Sequence, residues 1–442
     1  MMILEDYLKQ HARLNPDKTA VVCGMEACSY AELYERAKLR SAEFTDCRGK
    51  VVLIRTTQTL DFLVTYFAIH MAHAVAAPME KNMPEQLFDE LGKKLSGYDV
   101  SEDIADVLYT TGTTGRSKGV MISHRTIIAD AENLIEGQGF TPELTFIISG
   151  PLNHIGSLSK IYPVIMLGGT LLIIDGMRDM SIFFHALDYP AEKMATFFVP
   201  ANVRMLTQFG AERLASYAEK IDFIECGGAP LPHSDMLELC NLLPNTRLYN
   251  TYASTETGII STYNYNDGRC LSGCLGKPMK HSRIFITDEG RIACQGDTLM
   301  SGYIGEEELT HTVLRDGTVY MSDLGHLDDE GMLHIGGRQD DVINIGGYKV
   351  APTEVEDAAL LLPEVEDCIC ISVPHPIMGY ALKLLVVVAG KQQLDKRRLA
   401  LHLKKHLEIY KVPLLYEQVE AIERTYNGKL NRKFYRHDRP TP

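Results

Sequence analysis

Between Ile104 and Thr251 short β-branched and aromatic runs recur, and stretches with helical patterning separate them. Asp106–Tyr109, Val120–Ile122, Phe146–Ser149, Thr170–Asp175, Thr196–Val199, Ile221–Cys226 and Arg247–Thr251 read as strands, with a helix from Ser123 to Glu136. A parallel neighbour strand needs a long crossover, usually a helix, so this alternation implies parallel sheets covered by helices. The punctuation agrees, since Gly168-Gly169 ends one helical segment and Pro232 begins another. The first 78 residues alternate in the same way, with strands at Thr19–Cys23, Val51–Thr56 and Ala74–Pro78 and a helix at Asp61–His73. Ser29 with Glu32 three residues on is a capping-box pattern. Met79–Asp103 is polar and weakly patterned, and is expected to be a connector.

After Ile259 the character changes. Short β-like runs are separated by Asn266-Asp267-Gly268, Asp288-Glu289-Gly290, Arg315-Asp316-Gly317 and Asp329-Glu330-Gly331, which implies antiparallel strands in a barrel-like cap. A second shift falls at Gly336–Asp340. Beyond it a helix (Pro352–Leu362), two strands (Cys368–Val373, Leu384–Ala389) and a helix (Lys396–Glu408) make a small α+β lobe. The expected fold is therefore α/β. A large lobe of parallel sheets flanked by helices spans residues 1–339, with 260–339 as a small β-barrel-like subdomain, and a small lobe spans 340–442.

A chain of 442 residues exceeds one ordinary core. No run approaches the roughly 20 apolar residues of a membrane span, and the start, Met1–Tyr7, is acidic where a secretory signal is basic. Ten cysteines without a CxxC pair fit reduced thiols and a cytoplasmic location. A net charge of −14 excludes nucleic acid as a general partner. From Asp341 onward, however, 15 Lys and Arg face 13 Asp and Glu. Arg424, Lys429, Arg432, Lys433, Arg436 and Arg439 crowd the tail, either as a solvated surface or to face a polyphosphate.

Tyr109-Thr110-Thr111-Gly112-Thr113-Thr114-Gly115-Arg116-Ser117-Lys118-Gly119 joins two strand-like runs. Its glycines allow a tight backbone that aims N–H groups inward, while threonine hydroxyls add donors and Arg116 and Lys118 add positive charge. Such a loop can wrap a polyphosphate. It is not a Walker A loop, because Ser117 precedes Lys118 and Gly119 follows it.

This loop resembles the signature of the adenylate-forming superfamily: acyl-CoA synthetases, peptide-synthetase adenylation domains and firefly luciferase. Further matches follow in the family's order as far as Lys433. The resemblance implies that Thr110, Thr111, Gly112, Thr113, Thr114, Gly115 and Lys118 hold the phosphates of ATP, and that Gly228, Ala229 and Pro230 lie beside adenine. In Tyr249–Gly258 it implies nucleotide contacts by Asn250, Thr251 and Tyr252, an α-phosphate contact by Thr255, and Mg²⁺ binding by Glu256. Asp323 matches the ribose-binding carboxylate, with Arg338 beside it and Ile335 in the same site; Met321-Ser322 stands where the family has Thr-Gly. Asp340 matches the hinge of a mobile small lobe. Gly346, Gly347, Tyr348 and Lys349 match the thiol-tunnel loop, and Lys429 the C-terminal catalytic lysine.

Pro151-Leu152-Asn153-His154-Ile155-Gly156 is similar to the pocket segment of acyl- and aryl-CoA ligases. The resemblance makes His154 a catalytic or gating residue and places Gly156, Pro200, Asn202, Gly227, Ala253 and Ser254 around the acyl group. Asn153-His154 replaces the Asp with which relatives hold an amino acid's amine, and Ala253 stands where Gly is frequent, which favours short or planar acids. The implied activity is acid–thiol ligation through acyl-AMP, with ATP, Mg²⁺ and coenzyme A, acting on a small carboxylic acid. The phosphopantetheine of a carrier protein is an alternative acceptor, and a nucleotide-binding protein without turnover is the reading from another class.

Overall fold

The structure, a computed structural model, describes residues 2–111, 117–338, 341, 343–345, 348–375, 379–390, 393–425, 430–432 and 434–435. Helix α1 (Leu4–Leu14) opens the chain. A first sheet then holds three parallel strands, β1 (Val51–Thr56), β2 (Val75–Glu80) and β3 (Ile104–Thr111), with helix α2 (Leu60–Met71) crossing from β1 to β2. The fourth strand, β4 (Ser117–Ser123), is antiparallel to β3. The segment expected to be a connector contains a helix, Glu85–Leu95. Of its residues only Leu95 is buried, so the apolar stripe that announces a packed helix is short. Ser29 and Glu32 form the expected capping box, with bonds of 2.9 and 3.2 Å.

Helix α3 (His124–Gln138), capped by the Ser123 side chain, leads into the large sheet. Its parallel strands are β5 (Thr145–Ile148), β6 (Thr170–Ile173), β7 (Met194–Phe198), β8 (Ile221–Gly227) and β9 (Arg247–Ser254), ordered β6-β5-β7-β8-β9. Both faces of these strands are covered, and β5, β6 and β7 are buried along their whole length.

The antiparallel strands expected after Ile259 are present and hydrogen-bond onto the parallel sheet. Strand β10 (Gly258–Asn264) returns antiparallel to β9, β11 (Cys274–Pro278) follows, and β14 (Leu333–Arg338) and β13 (Thr318–Leu327) continue the order. Between them the short strand β12 (Gly302–Tyr303) leaves this sheet and pairs with β4 of the first, Gly302 opposite Met121 and Tyr303 opposite Val120. Residues from Ile343 onward build a separate apolar cluster around β15 (Val365–His375) and β16 (Gly379–Val388). A parallel third strand there, Leu415–Gln418, has too little apolar alternation to be read from sequence.

Candidate active site

The Thr/Gly loop is the tip of the β3–β4 hairpin. Tyr109 pairs with Gly119, Thr110 with Lys118 and Thr111 with Ser117, while the Ser117 hydroxyl donates to the Thr110 carbonyl at 3.1 Å. Gly112, Thr113, Thr114 and Gly115 lie outside the described residues, as do the side chain of Thr111 and all of Arg116. Gly119 is glycine for packing reasons: a Cβ would sit 2.8 Å from an Ile304 methyl and 2.9 Å from Val107.

The segment Met300–Ile304 straps this hairpin to the Glu256 turn. Met300 N–H donates to the Glu256 carbonyl, Ser301 N–H to Met121 and Ile304 N–H to Gly119, at 2.8–2.9 Å. Tyr303 is thereby placed between the two. Its hydroxyl donates to Glu256 Oε1 at 2.9 Å, and Lys118 Nζ lies 5.6 Å from the centre of its ring. Burial first, and the Glu256 charge next, push the Tyr303 phenol far above its ordinary pKa, so it remains a donor at neutral pH.

Thr255 and Glu256 sit half-exposed at the tip of the β9–β10 hairpin, whose geometry is fixed by bonds between Ser254 and Thr257 of 3.0–3.3 Å. Gly258 (φ +66°) lacks room for a Cβ because Asp130 of α3 lies against it. Asp130 accepts from Ile259 N–H at 2.8 Å, and burial raises its pKa to about 8. Mg²⁺ takes hard oxygen donors, and the partly exposed Glu256 carboxylate, held on one oxygen by Tyr303, fits such an ion.

On the neighbouring wall the Tyr252 hydroxyl donates to Asp323 Oδ2 at 2.6 Å, and Asp323 stands opposite Arg338 on β14. Ile335 packs on the same cluster as Tyr252. The structure thus brings Tyr252, Asp323 and Ile335 together, with the backbone of Arg338; that residue's side chain is outside the described set. Gly228, at φ +79°, turns the chain out of β8, with Ala229 and Pro230 next. Asn250 and Thr251, expected to touch nucleotide, have their side chains engaged inside the fold. Asn250 donates to the Cys274 carbonyl at 2.9 Å, and Thr251 is bonded to Gln138 at 3.0 Å and Thr262 at 2.9 Å. In a central strand covered on both faces, alternation carries successive side chains into packing on either side.

Phe197 organises the acyl side. A Cβ on Gly156 would lie 2.9 Å from its ring and one on Gly227 would lie 3.2 Å away, so both glycines leave space for the phenyl group. His154, half-buried, caps a short helix at Ile155–Leu158 by accepting from Gly156 N–H at 3.3 Å. Pro200 and Asn202 start the helix that follows β7, while Ala253 and Ser254 end β9. Lys160 lies behind the ring, with Nζ 5.2 Å from its centre and 2.8 Å from Glu225 Oε1; Lys160 is 0% and Glu225 1% exposed.

Sequence reasoning missed Tyr303, Phe197 and the Lys160–Glu225 pair. A lone base inside the apolar run Ile155–Leu167 was the available signal for the last. Asp340, Gly346, Gly347 and Lys429 lie outside the described residues, as do the side chains of Tyr348 and Lys349.

Comparison with known proteins gives the following. The AMP-binding enzyme family matches residues 8–91 and 93–304, and the AMP-binding enzyme C-terminal domain matches residues 354–429. A 2-succinylbenzoate–CoA ligase of Staphylococcus epidermidis is 26% identical, over 97% of this chain and 96% of its own length. One from Bacillus cereus is 24% identical over 98% of each. Among solved structures, ATP-bound MatB from Rhodopseudomonas palustris superposes with a TM-score of 0.87 at 23% identity, covering 99% of both chains. The o-succinylbenzoate CoA synthetase MenE from Bacillus subtilis, in complex with its acyl-adenylate intermediate, gives 0.83 at 23% identity over 98% of both.

Two outcomes follow from the geometry. Tyr303→Phe removes a hydrogen bond to a charged group, worth about 1.5–3 kcal/mol. Pyrophosphate release should fall by about 10–100-fold and its half-saturating Mg²⁺ concentration should rise; an unchanged Mg²⁺ dependence would deny Tyr303 its positioning role. Lys160→Met leaves a buried carboxylate unpaired and should cost about 3–5 kcal/mol in urea unfolding, whereas Lys160→Met with Glu225→Leu should recover most of it. Equal losses in the single and double variants would contradict that account.

Proposed function

The chain belongs to the AMP-binding enzyme family, and we propose that it is an ATP-dependent acid–thiol ligase, which makes an acyl-adenylate and passes the acyl group to coenzyme A. The observation that carries this reading is the alignment of Lys118, Tyr303 and Glu256, with the Tyr252–Asp323 pair on the wall beside it. Lys118 then offers a cation to the phosphates, Glu256 a carboxylate that would take the accompanying Mg²⁺, and Asp323 a carboxylate to the ribose hydroxyls.

A carboxylic acid at neutral pH is an anion and a poor electrophile. Its oxygen attacks the α-phosphate of ATP, a P–O bond forms, and the bond to pyrophosphate breaks. Catalysis here is mainly positioning and charge stabilisation. Glu256 would hold the Mg²⁺ that accompanies ATP, and that ion would supply positive charge against the departing pyrophosphate. We assign Thr255 to the α-phosphate, Lys118 with Thr110–Gly115 to the β- and γ-phosphates, and Lys429 to a bridge between acyl carboxylate and phosphate. In the second step a thiol attacks the carbonyl carbon of the anhydride, and AMP leaves with the bonding electrons. Lys429 is not required then. We propose that the small lobe, residues 340–442, turns about Asp340 and brings Gly346–Lys349 to the site.

CoA is the favoured acceptor because the similar proteins named above are CoA ligases. A carrier-protein arm would use the same tunnel, and saturation by free CoA distinguishes the two. The described helices include none long and apolar enough to cross a membrane, which accords with action in the cytosol. On the acyl side, Phe197 closes the space between Gly156 and Gly227. We assign short or planar acids to this pocket, and aromatic acids such as 2-succinylbenzoate, on which the Staphylococcus epidermidis relative is named to act, are the first to test.

Pyrophosphate release should be highest with short or benzoate-like acids, and long fatty acids as the best substrates would refute the pocket assignment. Phe197→Ala should shift the preference toward bulkier acids. Lys429→Ala should abolish adenylate formation yet spare thiol transfer from pre-made acyl-AMP; equal loss of both half-reactions would contradict its role.

A further inference from the structure

Glu5 of α1, His70 of α2, Asp106 of β3 and His124 at the start of α3 meet inside the first layer of the fold, 6%, 1%, 0% and 9% exposed. His70 is held at both ring nitrogens, with Nδ1 2.8 Å from Glu5 Oε1 and Nε2 3.2 Å from Asp106 Oδ1. The Tyr66 hydroxyl, one helical turn before His70, donates to Asp106 Oδ2 at 2.8 Å. Two atoms of the group are left over. Glu5 Oε2 and His124 Nδ1 are buried and have no hydrogen-bond partner among the described residues.

From this we infer a structural metal site: Glu5, His70 and His124 bind a divalent transition-metal ion of the zinc type. One ligand atom from each of the three lies within 4.8 Å of the others, close enough to converge on one ion. The donor set, two imidazoles and a carboxylate, is one that zinc accepts, with a water in the fourth position. The surrounding shell is also of the right kind. A ligating histidine is usually oriented by a carboxylate on its other nitrogen, and Asp106 with Tyr66 behind it supplies this to His70.

Charge separates this reading from a buried ion network that takes up no further proton. If His70 is an imidazolium between two carboxylates and His124 is neutral, the group carries one uncompensated negative charge in a buried place, which is costly. A divalent ion with two neutral imidazoles balances Glu5 and Asp106 to zero and satisfies the leftover atoms.

The site is distinct from the Mg²⁺ position proposed at Glu256. His124 directly follows β4, whose seven residues span roughly 20 Å from the Thr/Gly loop at its other end. A metal there would tie α1, α2 and α3 to the base of the β3–β4 hairpin and so stiffen the element that carries the loop.

The full-length protein, stripped with EDTA and dialysed, tests this. Added zinc should be retained at one equivalent through gel filtration and should raise Tm by several degrees, and cobalt in its place should give the visible absorption of a tetrahedral N/O site. His124→Gln and Glu5→Gln should weaken retention at least about ten-fold, and Asp106→Asn about ten-fold. His185→Gln, at a side chain 90% exposed, should change nothing. No retained zinc and no Tm shift in the wild-type chain would overturn the proposal, because a proton or a water would then complete the network. Undiminished retention in the Glu5 and His124 variants would overturn it too, by placing the metal elsewhere.

Discussion

The active-site reading depends on a strap of five residues. Two sheets carry the two halves of the proposed phosphate site, and among the described residues the pairing within each sheet does not join the β3–β4 hairpin to the Glu256 turn. Met300–Ile304 joins them, with backbone bonds to Glu256, Met121 and Gly119 and with Tyr303 between Lys118 and Glu256. Two side chains of opposite charge are held near each other while the ring between them withholds direct pairing. A closed Lys–Glu ion pair would have to break before a phosphate could enter. An aromatic spacer leaves both charges available at little cost, since a cation over a ring face gains only about 0.5–2 kcal/mol.

Buried charge also shapes the core, where Lys160 and Glu225 are 0% and 1% exposed. Lys160–Glu225 lies directly behind the Phe197 ring, which lines the proposed acyl pocket. Such a pair is poor value as stabilisation, because desolvation offsets most of the attraction. Its effect is positional instead. A pair that cannot separate without stranding a charge restrains Phe197 from behind. Asp130 positions a turn by a different route: burial raises its pKa to about 8, so it works through shape and one hydrogen bond, its contact with Gly258 and its bond to Ile259 setting the hairpin that carries Thr255 and Glu256.

Much of this was legible in the sequence, and the exceptions share a cause. The strands from Thr145 to Phe198 are legible because parallel strands buried on both faces are near-continuous apolar runs. Glu256 and Asp323 stood out because ordered motifs surround them. Tyr303 did not, since its role comes from a two-residue strand that changes sheets, and no local pattern encodes a partner nearly 50 residues away in sequence. The Glu85–Leu95 helix was passed over because it buries a single residue. Asn250 and Thr251 were assigned to ligand by resemblance, whereas their side chains answer first to Cys274, Gln138 and Thr262 inside the sheet.

The basic tail takes on a different meaning in three dimensions. Arg424 pairs with Asp367 at 2.7 Å, and Arg432 with Glu356 at 2.6 Å and Asp341 at 3.5 Å, so two of its six bases are spent within the small lobe. In sequence those anchors flank Lys429, and Arg424 forms an antiparallel bridge with Leu430. Arg432 also reaches back to Asp341, the residue after the proposed hinge. Across the lobes, Asp367 reaches Arg204 at 3.4 Å, while Arg204 keeps Asp235 at 3.0 Å and Asp367 keeps Arg424. Breaking the contact between Arg204 and Asp367 therefore strands neither charge, and the large penalty for separating a buried pair does not arise. The proposed rotation of residues 340–442 about Asp340 calls for a charged contact of this kind between the two parts.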